Sequence, residues 1–158
     1  MVSPFESAWV GIDPGQTGCL CVLTEHDELM FYDWRCVDEA KAELLTIKDS
    51  WIIKGVALEN VKPSVFSKVS NFKLGWSKGA WEALLGASQI PYELVGPKKW
   101  QNKHHEFAKD SELLGKRRTL SASWRLYPHC ADFIYRIKDH NRADALLLAH
   151  YARHHMED

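Results

Sequence analysis

The 158-residue chain opens with two short apolar runs, SAWVGID (7–13) and CLCVLTE (19–25), held apart by PGQTG. Proline and glycine punctuate that connection, so the pattern predicts two strands joined by a turn. ELMFYDW (28–34) predicts a third strand, with His26 and Asp27 at the turn before it. In VDEAKAELLTIKDSW (37–51), Ala40, Leu44, Ile47 and Trp51 recur at helical spacing, which predicts a helix. IIKGVALENV (52–61) is mostly apolar and ends its run at Glu59, the pattern of a strand covered on both faces. KPSVFSKVSNFKLGWSKG (62–79) reads as a polar, aromatic and basic connection into a helix around AWEALLGASQ (80–89). PYELVG (91–96) predicts a fifth strand, and PKKW (97–100) a turn or short helix. KDSELLGKRRTLSASWRLYP (109–128) reads as a helix stopping before Pro128, and HNRADALLLAHYARHH (140–155) as a final helix.

Three successive strands followed by helix–strand–helix–strand–helix is an α/β layout in one domain, residues 1–158. The expected architecture is a five-stranded mixed sheet flanked by helices: three antiparallel strands, then two parallel ones reached through right-handed crossovers. In such a sheet the carboxyl ends of the parallel strands share one edge, where sites form. Asp13 ends the first strand and Glu59 the fourth, which places two distant carboxylates side by side.

Each acid has a plain structural alternative. Asp-Pro-Gly is a good turn sequence, so Asp13 could bond the turn backbone, and Glu59 could face solvent at a strand end. Asp144 is harder to explain away. On the last helix Asp144, Leu147, Leu148 and Tyr151 form one stripe, so the acid continues a face that packs on the sheet. An unpaired buried carboxylate needs a cation, a hydrogen-bond partner or a raised pKa. Arg142, two residues away on a helix, is a poor local partner. Asp139 stands where it could cap this helix, and His140 shares the stripe with Asp144. Carboxylates converging from two strand ends and a helix would repel one another without a counter-ion, and Mg²⁺ selects such oxygens.

Composition narrows the choice of partner. The formal net charge of −1 divides unevenly. Residues 62–142 hold 15 Lys and Arg against 7 Asp and Glu, residues 1–61 hold 4 against 11, and the last sixteen hold 1 against 3. An acidic first third and a basic middle point to one surface attracting an anion, nucleic acid being the obvious large one. Cys19, Cys21, Cys36 and Cys130 lack zinc spacing and read as small hydrophobes in a reducing compartment. HYARHH reads as a solvated helix end. No apolar run reaches the roughly 18 residues of a membrane span, and MVSPFESA lacks the regions of a secretory signal. A soluble cytoplasmic protein, with no membrane partner, is expected; an organellar matrix stays open should a transit segment have been removed.

GIDPGQTG, VALEN, VGPKKWQ and KDHNRADALLLAHYA, in that order and spacing, resemble the RuvC-like Holliday junction resolvases. The likeness is to the phage and plant-organelle branches and runs from about Trp9 to Tyr151. It implies an RNase H-like fold, a homodimer, Mg²⁺ or Mn²⁺ with two ions per active site, and paired symmetric nicks in four-way DNA junctions. It maps the catalytic, metal-binding acids onto Asp13, Glu59 and Asp144. A fourth falls on Asp139, with His140 in reserve, because Asn141 occupies the place where many relatives carry an acid or histidine. It also implies an aromatic wedge after the fourth strand, for which Phe66 and Phe72 are available. Lys62, Lys68, Lys73 and Lys78 alternate with them as a DNA-tracking surface. Lys98, Lys99, Lys103, Lys116, Arg117 and Arg118 form a second basic set, and Arg142 joins the DNA-binding candidates.

Other readings stay open at this level. GIDPGQTG also resembles the first phosphate loop of actin-like ATPases and sugar kinases, which need a second such domain and further glycine-rich loops. A nuclease of the same fold could act more broadly on flaps and forks. A junction-binding module without catalysis is the third, and it gains nothing from three acids facing phosphates.

Overall fold

In the computed structural model, residues 6–65, 67–104 and 115–156 are described. The strands are β1 (Ser7–Asp13), β2 (Cys19–Thr24), β3 (Leu29–Asp33), β4 (Ile52–Glu59) and β5 (Glu93–Val95). They lie in the order β3-β2-β1-β4-β5. β1/β2 and β2/β3 pair antiparallel, β1/β4 and β4/β5 parallel. The expected mixed sheet is therefore present, strand for strand. The helices are α1 (Val37–Ser50), α2 (Lys68–Ala87), α3 (Pro97–His104), α4 (Lys116–Leu126) and α5 (His140–His155), with 3-10 turns at Pro128–Asp132 and Ile137–Asp139. None of the described helices is long and apolar enough to cross a membrane.

Strand periodicity sorts the core into two layers. Ala8, Val10 and Ile12 of β1, Leu20 and Val22 of β2, and Val56 and Leu58 of β4 pack against Ala40, Leu44 and Ile47 of α1 and Trp81, Leu84 and Leu85 of α2. The alternate β2 positions, Cys19, Cys21 and Leu23, turn to the other face with Leu120 of α4 and Ala145, Leu146 and Ala149 of α5. Each of the larger core side chains contributes roughly 1.5–3 kcal/mol on burial. Cys19, Cys21 and Cys130 are buried and unbridged, as small hydrophobes should be, whereas Cys36, just ahead of α1, is exposed and departs from that expectation.

α5 lies across the centre of this second face and is buried from Ala145 through Ala152. Its backbone touches β1 directly: a Cβ placed on Gly11 would collide with the Ala145 carbonyl oxygen and the Ala149 amide nitrogen. Only glycine allows so close a crossing.

Two elements differ from the sequence expectation. The stretch that reads as a polar, aromatic and basic connection is helical from Lys68 onward, where Ser67 caps it by accepting the Ser70 amide at 3.1 Å. Its polar, basic composition is that of a helix exposed on one side, not of a loop. The helix expected over 109–128 is seen as α4 from Lys116; the earlier part of that expectation lies outside the described residues.

Candidate active site

β1 and β4 run parallel with Ile12 beside Leu58, so Asp13 and Glu59 follow as neighbours at the same edge of the sheet. Strand alternation turns both toward the α5 face, opposite Ile12 and Leu58. Both are buried, at 7% and 8% exposure. Their carboxyl groups are close enough for each to perturb the titration of the other. Burial first, then the charges of Asp144 and Glu59, raise Asp13 well above the usual carboxylate range. Burial raises Glu59 as well, and the Trp100 indole opposes that by donating Nε1–H to Glu59 Oε1 at 3.1 Å.

Asp144 enters from the second turn of α5, set beside β1 by the Gly11 crossing. Burial and the nearby Glu59 push its carboxyl up to about 7, against the lowering pull of a Thr119 hydrogen bond and Lys116. A cavity of ≈ 330 Å³ opens over it, walled by Trp100, Lys116, Thr119, His140 and Leu147. Burial and Lys116 lower the pKa of His140, while its Nδ1 lies 3.1 Å from the Ile137 carbonyl oxygen.

Three acids from β1, β4 and α5 thus share one field. Their ligand oxygens do not all lie within 4.8 Å of one another; among the described residues the set that does is Glu6, Glu25 and His26, elsewhere on the sheet. Asp13 and Asp144 are each raised by burial and by another acid. That donor set, oxygen-rich and short of positive charge, fits a hard dication.

Asp139 does not join them. Its Oδ2 accepts from the Tyr135 and Arg136 amides at 3.2 and 2.9 Å, and the Arg136 guanidinium reaches both carboxylate oxygens at 3.2 and 3.0 Å. Burial would raise this group, but the bonds to Arg136 and the two amides outweigh it and hold the carboxyl at about 2. It closes the turn that precedes α5, and the structure does not bring it together with Asp13, Glu59 and Asp144. The reserve candidate His140 lies in the cavity wall instead.

The DNA-binding candidates divide similarly. Arg142 is committed to the fold, with Nε and Nη2 bound to Asp33 at 3.0 and 2.7 Å and Nη1 to the Phe133 carbonyl at 3.0 Å. Lys62, Lys68 and Lys73 are exposed, whereas Lys78 is half-buried beside Glu82 at 3.7 Å. Phe72 projects from α2 at 76% exposure, and Phe66 lies outside the described residues. Lys98, Lys99 and Lys103 lie on the outside of α3, Lys99 paired with Glu93 at 3.1 Å. Lys116, Arg117 and Arg118 begin α4, and Lys116 and Arg118 line the cavity.

The PGQTG turn is internally satisfied. Gly15, at φ 139°, donates its amide to the buried Ser77 hydroxyl at 2.8 Å, and Gly18 donates to the Gly15 carbonyl at 3.1 Å. These amides are turned inward, which speaks against a phosphate loop. Sequence reasoning missed Trp100 and Thr119 as partners of the acids, and Ser77 as the anchor of the turn. A tryptophan inside PKKWQNKH was the available signal for a buried role.

No protein-family model matches the chain, and no curated protein matches it. Solved structures do. T. thermophilus RuvC in complex with Holliday junction substrate superposes with a TM-score of 0.57 at 21% identity, covering 91% of this chain and 90% of that one. A second Thermus thermophilus RuvC structure gives 0.52 at 19%, covering 94% and 95%. The chain has the RuvC fold. The five-stranded sheet and its flanking helices are thus an RNase H-like architecture along nearly the whole length of both proteins.

Proposed function

We propose that this chain is a divalent-metal-dependent DNA endonuclease that resolves four-way junctions by paired symmetric nicks, acting as a homodimer. The observation that carries the reading is the meeting of Asp13, Glu59 and Asp144, from three elements, at one sheet edge beneath the basic start of α4. The RuvC structure that shares this fold was solved with a Holliday junction substrate, which favours the same class of DNA here. The Lys138–Asp144 segment favours the phage and plant-organelle branches within that class.

In this reading Asp13, Glu59 and Asp144 hold Mg²⁺ or Mn²⁺, two ions per site. Bound there, the ions supply an activated water and stabilise the charge that develops on the leaving oxygen. The chain's own residues prepare the place. Trp100 fixes one oxygen of Glu59, and Thr119 orients Asp144. Lys116 offers its charge to the phosphate that enters the cavity. Lys62, Lys68, Lys73 and Lys78 with Phe72 and Phe66, and Lys98, Lys99, Lys103, Arg117 and Arg118, track the DNA backbone around the cut. A two-fold symmetric junction then presents equivalent strands to two copies of one site. The fourth ligand comes from the start of α5; His140 already faces the cavity, whereas Asp139 would have to leave Arg136.

A labelled four-way junction, a flap, a fork and plain duplex, incubated with the chain and Mg²⁺, test the proposal. Paired nicks in the junction are expected, absent in Asp13→Asn and Asp144→Asn, which still retain junction binding. Faster cutting of the flap would make it a broader branched-DNA nuclease. Normal nicking by either variant would end the assignment. His140→Ala is expected to slow nicking more than Asp139→Asn; the reverse order would assign the fourth ligand to Asp139.

A further inference from the structure

Glu6 stands just ahead of β1, at the opposite end of that strand from Asp13, a separation of roughly 20 Å at strand rise. It is 6% exposed, and its Oε1 is buried without a hydrogen-bond partner. A desolvated carboxylate oxygen left unpaired is unfavourable and points to a cation. Its neighbours have the donor chemistry to share one. One ligand atom each from Glu6, Glu25 and His26 lies within 4.8 Å of the other two, and His26 Nε2 is 3.8 Å from Glu25 Oε1.

The backbone holds this trio in place. Glu25 donates its amide to the Ser7 carbonyl at 2.9 Å, and Ile52 donates to the Glu6 carbonyl at 2.9 Å. The side chains of Glu25 and His26 are exposed, so they can close the last ångström onto an ion. Arg153 of α5 is engaged by Asp27, bonds the Glu25 carbonyl and covers the Trp9 ring, and among the described residues no ion pair reaches Glu6.

We propose that Glu6, Glu25 and His26 form a Zn²⁺ site, separate from the carboxylate cluster and independent of the nuclease reading. Two carboxylates and an imidazole suit Zn²⁺, whereas Mg²⁺ favours oxygen alone. Its role is to tie the entry of β1 to the β2–β3 turn.

The test uses the full chain carrying Asp13→Asn and Asp144→Asn, so that the carboxylate cluster contributes no binding. ZnCl₂ titrated by calorimetry is expected to bind at one equivalent and to raise the melting temperature by several degrees. Adding Glu25→Gln or His26→Ala should weaken that binding at least tenfold. Adding His154→Ala with His155→Ala should leave it unchanged. Glu6→Gln should melt no lower than its background without metal, yet lose the zinc response. Zinc uptake that survives Glu25→Gln and His26→Ala, or that disappears with His154→Ala and His155→Ala, overturns the site. So does a complete lack of zinc uptake, and neither result touches the junction assay.

Discussion

Replacing Asp144 with asparagine keeps the shape of the side chain and removes its titration, which makes it a direct probe of the crowded acids. In the folded chain this carboxyl is pushed from 3.8 to about 7. The folded state therefore holds a proton that the unfolded chain has released, and stability is lost as pH rises from about 4 through about 7. At about 1.4 kcal/mol per pH unit the total reaches roughly 4 kcal/mol, an upper bound because Glu59 shares the charge. The amide of the Asp144→Asn variant does not titrate and loses nothing over that range. Urea unfolding in EDTA, followed by tryptophan fluorescence at several pH values, should find the variant increasingly more stable than the parent as pH rises, by roughly 2–4 kcal/mol at pH 8. Adding Mg²⁺ at that pH should restore the parent and do little for the variant. Parallel pH profiles for the two proteins would refute the crowding from which the site was inferred.

Trp100→Phe removes the donor to Glu59, with a stability loss of roughly 1–3 kcal/mol; nicking should fall about tenfold and its acid limb move to higher pH, and an unmoved profile would make Trp100 a packing residue alone. Gly11→Ala drives a methyl into the α5 backbone and should destabilise by roughly 3 kcal/mol or more, read as a lowered urea midpoint; a variant as stable as the parent would show that α5 can shift freely. Lys68→Ala with Lys73→Ala should weaken junction binding and reduce the slope of log affinity against log salt by about 1 for each lost phosphate contact. An unchanged slope would move the DNA path off α2.

The strands and their antiparallel or parallel sense were legible because each is a short apolar run between turn residues, and the apolar end of β4, buried on both faces, was read as a covered strand closing at Glu59. Asp144 was legible for a related reason: it interrupts an apolar stripe, and burial penalises charge. The start of α2 was hidden because Lys68, Ser70, Asn71 and Lys73 are polar on a helix whose outer side is exposed, so the turn of apolar residues that marks a helix came later. Spacing along the chain could not reveal that a 3-10 turn aims Asp139 toward Arg136 while the next residue, His140, faces the cavity. The Trp100–Glu59 bond links positions 41 apart, and no local pattern records it.

At Gly11 two main chains touch with no side chain between them. The distance from β1 to α5 at Ala145 and Ala149 is consequently ruled by peptide groups, whose dimensions are fixed, not by the volume of any hydrophobic residue. Repacking with other aliphatic residues around them could soften or stiffen this protein while its acids kept their spacing, so thermal tolerance and chemistry could be tuned along separate axes.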